Sequence, residues 1–116
     1  MKKMRRLVLG ACAMLITGTS LAASEEVIFV IGHGSTSCGA WTKERKNYVV
    51  HHYHLQWVLG FISGMNWQSG DKQARFADVD AVAAYIDNYC ASNPLKTIAA
   101  ASRSVVQEGG GPEWRQ

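Results

Sequence analysis

The clearest pattern of apolar and polar positions lies in the middle of the chain. Between residues 49 and 68, Val50, His54, Trp57, Val58, Phe61, Ile62 and Met65 recur at three- and four-residue steps, which predicts a long helix with these side chains on its core face. Asp78 is placed to cap a second helix in which Val79, Val82, Ala83, Ile86 and Cys90 repeat with the same period. Asn93-Pro94 is read as the stop of that helix and the start of another, with Asn93 as cap and Pro94 in the first turn. Leu95, Ile98, Ala99, Ser102, Val105 and Val106 form its expected buried stripe, and Gly109-Gly110-Gly111-Pro112 ends it. A shorter helix is expected from about Cys38 to Lys46 or Asn47, capped by Ser37 and carrying Trp41, Thr42, Glu44 and Arg45.

The remaining stretches are expected to be connections. Val27-Ile28-Phe29-Val30-Ile31 reads as a short strand or an extended arm, but no second strand-like run lies nearby to pair with it. Residues 23–36 are therefore expected to form an extended or flexible lead-in. Its Gly32-His33-Gly34-Ser35 lacks the Gly-x-Ser-x-Gly order of a nucleophile loop. Residues 69–77 read as a polar loop and residues 109–116 as a flexible tail. Gly60 and Gly64 sit four apart inside the long helix. Each glycine weakens a helix by roughly 1 kcal/mol relative to alanine, so the pair is expected to mark close packing of a neighbour. The fold class that follows is all-α: a small bundle of three or four helices spanning residues 37–108.

Charge changes the picture at the amino end. Lys2, Lys3, Arg5 and Arg6 precede the apolar run Leu7 to Ile16, and a small-residue zone follows up to Ala23. That order predicts a secretory signal peptide over residues 1–22, cleaved after about Ala22, and export to the periplasm. The apolar run is short of the roughly 20 residues needed to span a bilayer, so no stable membrane anchor is expected. The mature chain then carries eight basic and nine acidic side chains, and with no basic footprint no nucleic-acid partner is expected. Cleavage also removes Cys12 and leaves Cys38 and Cys90, an even pair in an oxidising compartment, which predicts one disulfide.

Candidate chemistry is sparse. His51, His52 and His54 form the one cluster that resembles a metal site, yet no His-Glu-x-x-His pattern supplies a third ligand, so neither a metal nor another cofactor is expected. Beside a core-facing helix the trio is better read as a proton-sensitive patch, because acid would place charge next to Trp57 and Val58. Trp57, Phe61, Met65 and Trp67 are the candidate apolar core or binding face, with Trp67 and Tyr53 at the bundle edge. Asp78, Asp80 and Asp87 are spaced for capping and solvent exposure rather than as an acid–base pair, and no activated nucleophile is evident; the expectation is a non-enzymatic protein.

Three blocks, Ser37 to Arg45, Trp57 to Gly64 and Tyr85 to Cys90 with Asn93-Pro94-Leu95, resemble those of a group of small secreted bacterial proteins loosely similar to the HdeA/HdeB acid-stress chaperones of the periplasm. The resemblance covers roughly residues 35–107. It implies a helical, disulfide-bridged protein, possible as a homodimer, that binds unfolding client proteins when acid loosens its own structure. The Gly60-Phe61-Ile62-Ser63-Gly64 block also looks like the glycine-containing helix of exported type VI secretion immunity proteins, which implies the alternative of one specific toxin as partner.

Overall fold

A computed structural model describes residues 28–114. Four helices follow one another: α1 (Cys38–Glu44), α2 (Tyr48–Gln68), α3 (Val79–Ser92) and α4 (Ile98–Glu108), preceded by a 3-10 turn at Gly32–Ser35. No strand occurs among the described residues, and the protein is a small all-α bundle. The expected leader, residues 1–22, and Cys12 within it lie outside the described residues.

Local chemistry sets most helix starts. Ser37, Asn47, Asp78 and Thr97 each accept a hydrogen bond from the backbone N–H three residues on, which satisfies a donor that has no partner inside the helix. The expected start at Asn93-Pro94 is not used. Asn93 instead ends α3, its N–H donating to the Cys90 carbonyl and its side-chain amide to the Tyr89 carbonyl. Residues 94–97 run alongside residues 36–39: Cys38 N–H donates to the Lys96 carbonyl, Gly39 N–H to that of Pro94, and Ile98 N–H to that of Thr36. Those long-range bonds, with a turn closed by Lys96 N–H on the Asn93 carbonyl, delay the helix until after Thr97, and Leu95, expected in the buried stripe, is 95% exposed.

The core is one cluster to which every helix contributes. Trp41 of α1, Val58 and Ile62 of α2, Ile86 of α3, and Ile98 and Val105 of α4 are all buried in it. The predicted stripes of α3 and α4 face inward as expected except for Val79 and Leu95, which are exposed. Cys38 and Cys90 are bonded to each other, with Cα atoms 4.7 Å apart, and tie the start of α1 to the end of α3.

Two stretches expected to be loose are held in place. Phe76 packs against the core, and Asn66 of α2 pairs with Ala74 through both amide groups, at 2.9 Å to its carbonyl and 2.8 Å from its N–H. Beyond α4 the chain folds back rather than fraying: the Trp114 indole N–H donates to the Arg103 carbonyl, its ring lies 5.0 Å from the Arg103 guanidinium, and Phe61 of α2 approaches it at 6.2 Å. The apolar area of one tryptophan is enough to pin so short a tail.

Candidate functional site

The polar chemistry of the molecule converges where the 3-10 turn, α1 and α2 meet. Positions 51 and 54 lie on the core side of α2, one helical step apart, so both imidazoles point at Trp41 of α1. His51 meets the Trp41 ring edge-on at 4.7 Å, and His54 stacks beside it at 6.1 Å. Both histidines are buried, at 8% and 3% exposure, and the Nδ1 atom of each is buried without a hydrogen-bond partner. His52, expected to join them, points outward and stacks on Tyr48 at 6.1 Å. Its place is taken by His33 of the 3-10 turn, whose ring lies edge-on to His54 at 5.0 Å and parallel to Tyr53 at 6.0 Å.

Around this joint runs a polar chain. Asp87 of α3 accepts the Trp41 indole N–H at 2.7 Å and the Arg45 Nε–H at 2.8 Å, which overturns the expectation of Asp87 as a merely solvated carboxylate. The other arm of Arg45 lies 3.0 Å from His51 Nε2. A guanidinium has no acceptor, so this contact is a hydrogen bond only when Nε2 carries a lone pair and the proton sits on Nδ1. In that tautomer His51 is neutral and accepts from Arg45.

The electrostatics agree. Burial first, and then the charge of Arg45, hold the His51 pKa below the ordinary histidine value, with Asp87 opposing. Burial first, and then His33 and His51, do the same for His54, with Glu44 opposing. For Arg45 the hydrogen bond to Asp87 is the largest influence and raises its pKa, partly offset by burial. Since the unfolded chain takes up protons below about pH 6.5 while the folded one resists them, the histidine contribution to stability is complete above that pH and is lost as the pH falls through the window beneath it. The expected result is a thermal midpoint that drops between pH 7 and 5. In a His54→Gln variant that slope flattens whatever happens to the midpoint itself, and thermal melts followed by circular dichroism at several pH values check it.

The second candidate feature is α2 itself. Its 21 residues include no Asp, Glu, Lys or Arg. Val58 and Ile62 face the core, and Trp57, Phe61 and Met65 flank them half-buried. On the far side lie Val49, Tyr53, Gly60, Gly64 and Trp67, all exposed, Trp67 at 91%. The expected apolar face thus splits: three of its members line the core and Trp67 stands opposite. Gly60 and Gly64 are not packing sites for another helix of the chain, because a Cβ at either would meet nothing within 4 Å. They leave a shallow uncharged track between Tyr53 and Trp67.

Among the described residues no group of three or more histidine, cysteine or carboxylate side chains is placed to hold a metal ion, and no helix is long and apolar enough to cross a membrane. His33 was missed as a site residue because it lies 18 positions before the nearest member of the trio; its one signal was the glycine on either side of it. The fold and site define a class: a small all-α protein with one disulfide among the described residues and two buried histidines at a helix joint. Compared with known protein families, curated proteins and solved structures, the chain matches none.

Proposed function

We propose that this chain is an exported, non-enzymatic periplasmic protein of the HdeA/HdeB-like kind, which binds unfolding protein chains through apolar helix surface and does so most strongly in acid. The observation that carries the reading is α2. Large aromatic side chains left in water with no charged neighbour on their helix are a common mark of an interaction surface, and the Tyr53–Trp67 side of α2 presents two. An uncharged track with aromatic ends suits apolar segments of many sequences, because it has no fixed charges to demand a matching partner. The neutral histidines support acid dependence, since protonation opposes the packing around Trp41.

The test uses the mature chain, residues 23–116, with an acid-denatured protein brought to about pH 3 and then neutralised. Light scattering is expected to stay low with the wild type. In the Tyr53→Ala/Trp67→Ala double variant the concentration needed for equal protection rises about ten-fold or more, as truncated aromatic hot spots typically cost. Absence of protection at every pH between 7 and 2 overturns the reading. A tight one-to-one complex with a single toxin at neutral pH, without general protection, would favour the immunity alternative.

A further inference from the structure

The amino-terminal segment leading into the 3-10 turn lies as a strap along the flank of α2, and what holds it there is unusual. Its own apolar side chains, Ile28, Phe29 and Ile31, stay exposed and contribute little. Three other contacts fasten it. The Trp57 indole N–H donates to the Ile31 carbonyl at 2.7 Å. Gly34 lies so close to the Trp57 ring that a Cβ there would overlap it, so no other residue fits the position unless the indole moves. The His33 ring fits between Tyr53 and His54. The strap therefore covers the ring of Trp57, which sits beside Phe61, at 5.5 Å, on the edge of the uncharged track.

Resting on the client-binding reading above, we propose that the strap Ile31–Ser35 is an internal stand-in for a client segment: charging the facing pair His33 and His54 lifts it, and an extended, small-residue-containing stretch of an unfolded chain takes its place on Trp57. Two imidazolium rings with centroids 5.0 Å apart repel, and the one in the core loses its solvation as well. The charged and titratable groups around the pair are few. α1 brings Glu44, which partly offsets a charge on His54, and Arg45, which adds to it through His51. α2 brings His51, His52 and Tyr53. α3 brings Asp87, already engaged by Trp41 and Arg45. α4, which also packs on the turn, carries Arg103 and Glu108, and Arg103 lies over Trp114, whose neighbour on α2 is Phe61 rather than the histidine pair. Glu44 and the Asp87 paired with Arg45 stand against that guanidinium and three imidazoles, so the joint carries net positive charge and repulsion dominates once the rings charge.

The occupant follows from how the strap is held. A carbonyl accepting the indole proton and a small residue against the ring are properties of backbone, which any unfolded chain offers. Removing the strap joins Tyr53, Trp57 and Phe61 to Gly60, Gly64 and Trp67 in one mainly apolar surface, larger than the one exposed at neutral pH and bordered by the histidines on one side. A strap that is open about one time in a hundred lowers apparent client affinity about 100-fold, and acid removes that penalty.

The indole N–H resonances of the full mature chain report the step directly. Between pH 7.5 and 5 the Trp57 signal, assigned by Trp57→Phe, is expected to leave its hydrogen-bonded position in the wild type and to stay there in His33→Gln, whose altered side chain is at the surface. The Trp114 signal, bonded to the Arg103 carbonyl and in contact with no histidine, is the internal control and should hold in both. In Gly34→Val the Trp57 signal should already be free at pH 7.5, and binding of a reduced, alkylated unfolded protein at that pH should tighten about 10- to 100-fold over wild type. The proposal is overturned if the Trp57 and Trp114 signals move together, if His33→Gln moves like the wild type, or if Gly34→Val frees Trp57 without tightening binding. The last result leaves acid-dependent client binding through other apolar surface intact, whereas loss of client protection with normal strap release would sink only the wider functional reading.

Discussion

Replacing Cys38 and Cys90 together with alanine is expected to lower the unfolding free energy by about 4 kcal/mol. The bridge closes a loop of 52 residues, and an open chain of that length gains its freedom mainly in the unfolded state. Alanine is the right test because both sulfurs are buried, and serine would add two hydroxyls without assured partners. Small domains typically have only about 5–15 kcal/mol in total, so the double variant should melt far earlier and be the first to lose α1. Urea unfolding of the oxidised wild type and the double variant, with the slope as well as the midpoint recorded, measures the effect. A loss under about 1 kcal/mol would mean that the unfolded chain stays compact around α1 and α3 without the bond.

Trp41→Ala is expected to cost about 3–5 kcal/mol, as large aromatic truncations in a packed core do. Trp41 is fully buried and touches the two histidines, so its removal leaves a cavity that rigid helices cannot close and exposes the unpartnered Nδ1 atoms to water. Trp41→Phe separates packing from polarity. It keeps most of the ring and gives up only the hydrogen bond to Asp87, which is expected to cost roughly 1.5–3 kcal/mol because the acceptor is charged. Asp87 keeps Arg45 as partner in that variant, so the lower end is the better expectation. Chemical denaturation of both variants checks the pair, and a Phe variant as stable as the wild type would remove the Asp87 bond from the account of this joint.

The helical segments were legible because their signals are local. Val58 and Ile62, or Ile86 and Cys90, are one helical turn apart, and the caps Ser37 and Asp78 act on N–H groups three residues away. The start of α4 shows where local reading stops. Asn93-Pro94 is a good cap and first-turn pair, but three hydrogen bonds between residues 94–98 and 36–39 outweigh it, and their partners lie nearly 60 positions away. The glycines were misread for the same reason. Gly60 and Gly64 looked like contact points and face open space, while the requirement for glycine falls at Gly34, where an indole 23 residues downstream closes over it.

The candidate site was half visible. His51 and His54 stood out by composition, and the absence of charge along α2 can be counted directly. That His33 replaces His52, that Arg45 divides itself between Asp87 and His51, and that Trp114 is pinned to α4 are facts of position in space.

By itself the sequence determined an all-α chain, a long helix without Asp, Glu, Lys or Arg, and histidines on its inner side, because periodicity, capping and counting depend on neighbours within a turn or two. Only the tertiary structure decided which ring meets which, which apolar side chains stay in water, and that the stretch before the first helix is fastened over Trp57. Those outcomes depend on the packing angles of whole helices, which no window of a few residues encodes.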